Sequence, residues 1–256
     1  MPSELSMHFD VHGALLAGAR DCEAEVFLKW FGNTREQLAE EYGAYEDSSM
    51  FLVLANQAGE VLGAARMLQP GGHAGLKMLV DVGREPWDVD GGRAAAAVGI
   101  DLGSTWEVAT LGVRSGSTGG GTQLSLALYH GVVAVTRANR MSSFVAILDE
   151  RVRRLLGSVG ILTRPLPGTN TASYLGSAKS TPVYAHCAPM FERQRTQFPD
   201  AYRLVTLGIG LDGVAIPTLD AFRPRLRKPV LAAPAPAPAH LPGAVPLIMP
   251  ARAAQL

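Results

Sequence analysis

The stretch from Thr105 to Gly131 constrains this chain more than any other. It reads TWEVATLGV, then RSGSTGGG, then TQLSLALYHG. The first part is β-branched and apolar and reads as a strand. The second is a glycine loop carrying one cation, Arg114. The third opens at Thr122, a good helix N-cap, and continues with helical composition. Strand, glycine loop and helix start, in that order, make a place for a phosphate. Glycines let backbone approach a ligand closely. The first amides of a helix lack internal partners, and the helix dipole favours an anion there. A bare surface loop is the plainer alternative for a glycine run.

The loop is neither of two familiar phosphate motifs. No Lys-Ser or Lys-Thr pair follows the glycines, and Gly116, Gly119, Gly120 and Gly121 do not fall into GxGxxG. Val113, Arg114 and the run to Gly121 resemble instead the central motif of the GNAT superfamily, the acyl-CoA-dependent N-acyltransferases. There a strand ends in Arg/Gln-x-x-Gly-x-Gly/Ala and a helix follows at once. Here two or three more residues separate Arg114 from the helix. Upstream, WEVATLGV resembles the WExSRFxV strand of the acyl-homoserine-lactone synthases, a GNAT branch that includes related N-acyl amino acid synthases. Trp106, Glu107 and Val113 match, while Thr110 stands where that branch carries Arg.

The resemblance implies an α/β fold with a mixed, mostly antiparallel sheet, a central splayed parallel strand pair and flanking helices. It implies acyl-CoA as cosubstrate, or acyl carrier protein as donor, and a small-molecule amine as acceptor. Val113, Arg114, Gly116, Gly119, Gly120, Gly121 and Thr122 would bind the donor phosphates. An echo of the lactone synthases' Arg, Phe, Trp order in Arg20, Phe27 and Trp30 makes Arg20 a candidate acceptor contact. Many GNAT enzymes place a Tyr after the second parallel strand to protonate the leaving thiolate, and none follows it here. A non-catalytic GNAT-fold protein binding acyl-CoA or a protein partner is the alternative.

Bulk properties narrow the setting. The 256 residues carry 23 basic and 23 acidic side chains, so there is no general pull toward nucleic acid or an anionic membrane. Cys22 and Cys187 make no disulfide framework. Without CxxC or HEXXH no metal is expected, and a reduced, cytoplasmic protein fits best. No apolar run is long enough to span a membrane, and MPSELSMHFD lacks the basic start of a signal peptide. Abundant Ala, Gly, Pro and Arg point to a GC-rich bacterial genome. Residues 1–216 read as one domain; from 217 a basic, Ala/Pro-rich run reads as an extended tail.

Along the chain, Leu15, Ala19, Cys22, Val26 and Trp30 share one face of a helix begun within residues 8–31, with Phe27 and Trp30 in the core. Thr34 and Gln37 form a capping box for a second helix. Residues 50–55 and 61–68 form a hairpin, and Arg66 on its second strand meets a carboxylate of the protein or of a ligand. A third strand is expected over 75–82, within a pocket-shaping insert that buries Trp87. After the helix from Thr122, in which Gly131 permits close packing, residues 143–148 read as a strand parallel to the central one. Strands over 160–166 and 181–187 close the sheet. The long loop between them covers the acyl or acceptor site, with Tyr174 as a contact. Residues 203–216 form one more apolar element.

Glu107 is the only carboxylate of the central strand, on one face with Ala109 and Leu111 if Trp106, Val108 and Thr110 share the other. A Glu among apolar neighbours loses hydration, which lifts its pKa toward a useful general-base range. A protonated amine must lose a proton before it attacks a thioester. Catalysis by Glu107 and a plain solvent-facing or Arg66-paired Glu are the two readings. His186 and Cys187 are adjacent in a strand, so they face opposite sides and make a poor nucleophile pair.

Overall fold

The computed structural model describes residues 5–114 and 121–225. In chain order these form β1 (Leu5–Phe9), α1 (Gly13–Phe31), α2 (Arg35–Gly43), β2 (Ser49–Asn56), β3 (Val61–Leu68), α3 (Lys77–Asp81), α4 (Gly91–Ala97) and β4 (Thr105–Val113). Then follow α5 (Gly121–Ala138), β5 (Ser143–Asp149), α6 (Glu150–Ser158), β6 (Arg164–Pro165), β7 (Ala172–Tyr174), β8 (Ser177–His186), α7 (Cys187–Gln197) and β9 (Val214–Ala215). All strands join one nine-stranded sheet in the order β6-β8-β5-β4-β3-β2-β1-β9, with β7 added to β8. Among the described residues only β4/β5 and β1/β9 pair in parallel. This is the mixed, mostly antiparallel α/β architecture the sequence led us to expect.

Two helical layers cover the sheet. On one face α5 presents Leu124, Leu128, Val133 and Val135 to Met7, Leu52 and Trp106. Gly131 is the contact point: a Cβ there would stand 2.6 Å from Leu52 Cδ2 and 2.9 Å from Met7 Sδ. On the other face Ala19, Cys22 and Val26 of α1 pack on Phe51, Val53 and Val61. Because both faces are covered, β2 and β3 are buried almost throughout, and their sequences read as continuous apolar runs. Each such Val or Leu contributes roughly 1.5–3 kcal/mol by leaving water.

Several expectations change. Residues 5–9 precede the first helix as a strand, with Leu5, Met7 and Phe9 alternating inward. The expected strand over 75–82 is the short helix α3; an apolar run of that length is ambiguous, and Lys77 and Asp81 meet at i,i+4 only in a helix. Of 160–166 only Arg164–Pro165 pairs. Residues 203–216 contribute an irregular turn (Tyr202–Thr206) and the edge strand β9. Trp30 lies at the end of α1 with 53% of its surface exposed, so it is not core. The capping box of Thr34 and Gln37 is present. The compact unit runs to Pro224, past the expected boundary at 216, because Phe222 is buried against Phe9. The expected tail from 226 onward lies outside the described residues.

One irregularity in β4 shapes everything that follows. Arg66 and Met67 of β3 face Thr110 and Val108, so Ala109 is an extra residue, a β-bulge. The bulge breaks the alternation. Val108, Leu111 and Val113 all turn toward α5. Glu107, Ala109 and Thr110 all turn toward the α1–α4 layer, where they meet Met78, Tyr42 and Glu23 respectively. Leu111 and Thr110 thus exchange the faces that strict alternation assigns them. The parallel pairing of β4 with β5 stops at Glu107–Val145. Beyond it the strands part, as the resemblance implied.

Candidate active site

A cleft opens where β4 and β5 separate. Its empty volume is about 710 Å³, with the open solvent at its mouth included. Glu107 and the bulged residues 108–111 form one wall and residues 147–149 the other, while Phe27, Tyr42 and Tyr174 close the sides. An apolar recess, about 550 Å³ with open solvent included, continues toward α5, sharing Val108, Leu111, Leu148 and Val152 with the cleft. Tyr129, Val132 and Ala146 line its depth.

Glu107 sits at the floor of the cleft and is 4% exposed. The Met78 amide donates to its Oε2 at 2.8 Å. Leu76, the residue preceding α3, has no side chain able to cap that helix. The carboxylate therefore supplies the cap from a neighbouring strand. Burial raises the Glu107 pKa from 4.5 to about 8, against the pull of the Met78 N–H and with a push from the Asp81 carboxylate.

Two buried cations stand behind this wall, each neutralised. Lys77 reaches Asp81 at 2.6 Å, Glu41 at 2.8 Å and the Tyr174 hydroxyl at 3.0 Å. Burial alone would lower its pKa, but the Asp81 and Glu41 carboxylates outweigh that and raise it. The Tyr174 hydroxyl donates to Asp81 in turn. Arg66 binds Glu23 through two hydrogen bonds, at 2.7 and 3.0 Å, and Glu46 at 3.1 Å. Thr110 donates its hydroxyl to the same Glu23 at 2.5 Å. The Tyr42 ring lies against both cations, 4.4 Å from the Arg66 guanidinium and 5.4 Å from the Lys77 ammonium.

The candidate residues thus fall into separate places. Glu107 and Tyr174 meet in the cleft. Arg66 is buried behind Tyr42, committed to carboxylates of the protein. Arg20 pairs with Glu46 at 2.6 Å and lines a different cavity, between α1 and α2. Val113 ends β4 and packs on the α5 core. Arg114 holds Glu25 at 2.9 Å and Glu60 at 3.3 Å. Gly121 and Thr122 start α5 at the surface, with exposed backbone and side chain. Gly116, Gly119 and Gly120 lie outside the described residues. His186, bonded to Ser143 Oγ and to the Val98 carbonyl (2.9 Å each), pins strand ends together, and burial raises the Cys187 thiol to about 12. Neither prepares a nucleophile.

Sequence reasoning missed Tyr42, Lys77, Asp81 and Asp149. Asp149 ends β5, caps α6 through the Arg151 amide at 2.8 Å and accepts the Ser177 hydroxyl at 2.7 Å. A carboxylate directly after an apolar strand and before a helix was the available signal. None of the described residues that line the cleft belongs to the insert over 70–104, which reaches it through Tyr174. Trp87 donates its indole N–H to the Asn170 carbonyl at 2.8 Å and packs 5.5 Å from the Tyr174 ring, which holds the 166–176 loop against the cleft.

No protein-family model matches the sequence, and no curated protein matches it at the sequence level. Solved structures do match in three dimensions. A CoA-dependent acyl-homoserine lactone synthase, BjaI, solved with MTA, superposes with a TM-score of 0.57 at 17% identity, covering 86% of this chain and 97% of that one. FeeM, an N-acyl amino acid synthase from uncultured soil microbes, gives 0.53 at 11% identity over 75% and 94%. At such identities the likeness establishes the fold alone, and in fold this chain is similar to an acyl-homoserine lactone synthase and to an N-acyl amino acid synthase.

Proposed function

We propose that this protein transfers an acyl group from a thioester, acyl-CoA or acyl carrier protein, to an amine. The observation that carries the reading is Glu107, buried at the point where β4 and β5 part, with its pKa raised to about 8. A base matched to neutral pH at the floor of an open cleft is what an amine acceptor requires. The splay leaves the β5-facing edge of residues 108–113 without a strand partner, and the amides of a pantetheine arm would satisfy it. The apolar recess beside it fits an acyl chain. Glu107 takes a proton from the ammonium, directly or through water. The freed amine attacks the thioester carbonyl; as the C–S bond breaks, the second proton of the attacking nitrogen passes through water to the departing sulfur, leaving amide and thiol. A thiol of ordinary pKa, about 8.5, leaves near neutral pH without a dedicated acid. Of the residues implied for the phosphates, Arg114, Gly121 and Thr122 remain the proposal's donor contacts; Arg114 would have to exchange Glu25 or Glu60 for phosphate.

A second reading has its own observation. Glu107 caps α3 through the Met78 amide, a purely structural task, and a non-catalytic GNAT-fold protein binding acyl-CoA or a protein partner would need nothing more. Thermal shift with CoA, acetyl-CoA and a long-chain acyl-CoA, with ATP as control, followed by thiol release in the presence of an amine, separates the two. A thioester at one hundred times its dissociation constant stabilises the fold by about 2.7 kcal/mol. Binding with turnover that Glu107→Gln abolishes supports transfer. Turnover indifferent to that substitution removes Glu107 from the mechanism, and binding without turnover under any acceptor favours the second reading.

A further inference from the structure

The ionisable groups lining the cleft are all acidic. Among the described residues that line it, the charged ones are Glu107 and Asp149. Asp149 stays ionised: burial alone would raise its pKa, but the Ser177 hydroxyl and the Arg151 amide hold it below the ordinary carboxylate range. The two buried cations behind the wall and the arginines at its rim are otherwise engaged. Lys77 and Arg66 lie 2–3% exposed, screened from the cleft by the Tyr42 ring and each bound to two carboxylates. Arg151, at the rim, pairs with Asp149 itself at 3.4 Å and lies over Trp30, 5.6 Å from the ring. Arg20 and Arg35 belong to the cavity between α1 and α2, which shares no lining residue with the cleft, and they pair with Glu46 and Asp21. At the bulge Thr110 turns its hydroxyl back to Glu23. The remaining walls are uncharged: aliphatic along β4 and β5, aromatic at Phe27, Phe31, Tyr42 and Tyr174, and hydroxylic at Ser177 and Ser180.

An α-amino acid entering this cleft would bring its carboxylate beside the ionised Asp149 and the buried Glu107, with no guanidinium or ammonium among the described lining residues to receive it. Like charges brought together in a partly desolvated site are strongly disfavoured. A plain amine meets the opposite situation. Its ammonium is drawn in by the ionised Asp149, with Glu107 at the floor to take the proton once ionised, and its body packs on the aromatic side walls. We infer that the acceptor is an amine bearing no carboxylate, of the aralkyl-amine or diamine class, and that the cleft's unbalanced acidic lining excludes amino acids. This deepens the acyl-transfer reading and rests on it for turnover, but the charge selection itself is a binding property and can be read separately.

The experiment pairs each amino acid with its decarboxylated counterpart: tyrosine with tyramine, phenylalanine with phenethylamine, lysine with cadaverine and arginine with agmatine. Dissociation constants by calorimetry on the full-length protein, and kcat/KM by thiol release from decanoyl-CoA, are measured for each pair. The amine is expected to exceed its amino acid roughly ten-fold or more in both quantities for at least one pair. Amino acids bound or used as well as their amines would overturn the inference and leave acyl transfer intact. If no acceptor is turned over, a ten-fold binding preference for an amine still supports the inference while acyl transfer fails. Binding of neither class overturns it. Asp149→Asn keeps a good helix cap and is expected to narrow the amine preference several-fold; an unchanged ratio would refute the electrostatic origin.

Discussion

Replacing Glu107 by Gln tests the physical core of the site independently of any substrate. In the folded protein the Glu107 carboxyl binds its proton up to about pH 8, against 4.5 when free of the fold. Between those values the folded state holds a proton that the unfolded chain has released. Stability therefore falls as pH rises through that window, by about 1.4 kcal/mol per unit at most. The loss is complete at about pH 8 and sums to about 5 kcal/mol. Gln keeps an oxygen for the Met78 amide and never ionises. The two proteins should be nearly equally stable near pH 4.5, and the variant should pull ahead steadily until about pH 8, then hold a constant lead. Urea denaturation of both proteins at pH 5, 6, 7, 8 and 9 reads this directly, since all other titrating groups cancel in the difference. A difference that stays flat within about 1 kcal/mol across the series would mean that burial does not hold Glu107 protonated, and the general-base argument would fall with it.

Four further outcomes are expected. If Glu107 is the base, kcat/KM in the free enzyme climbs with pH and levels off above about 8; a plateau already reached at pH 6 would contradict it. Arg66→Met strands the Glu23 carboxylate beside Thr110 and should cost about 3–5 kcal/mol in chemical denaturation, whereas Arg66→Met combined with Glu23→Leu should recover much of that loss. Gly176 has φ +78°, and a Cβ there would stand 1.9 Å from the Phe31 carbonyl oxygen. Gly176→Ala should therefore destabilise by roughly 1–3 kcal/mol and speed proteolysis of the loop carrying Tyr174; unchanged stability would deny that contact. Val132→Phe intrudes on the apolar recess and should shift donor preference toward shorter acyl chains in a thiol-release series, while an unaltered chain profile would place the acyl group elsewhere.

Much of the fold could be read from local pattern. The β-branched run of β4, the glycines after it and the all-round apolar α5 identify themselves without any knowledge of neighbours. The hairpin of β2 and β3 and the Thr34 capping box are equally local. Failures came where the local signal had two meanings. GLKMLV is apolar enough for a strand and short enough for a turn of helix, and only the meeting of Lys77 with Asp81, Glu41 and Tyr174 decides it. Trp30 continues the periodicity of α1 but overhangs the end of the sheet, so its period says core while its position says surface. Glu107 was identifiable as the lone carboxylate of its strand; that it caps a helix 29 residues earlier was not.

By itself the sequence determined the central strand–loop–helix pattern, the hairpin before it and the presence of one carboxylate in that strand. These depend on spacing and side-chain type within a few residues, which a linear pattern carries. Tertiary structure alone decided the chemistry of the cleft. The bulge at Ala109 turns Thr110 inward beside Glu107, the splay after Val145 opens the floor, and residues as distant as Glu23, Glu41 and Asp81 claim the cations that would otherwise face a substrate. A pKa or a net charge inside a cleft is set by desolvation and by neighbours in space, and neither is a property of position along the chain.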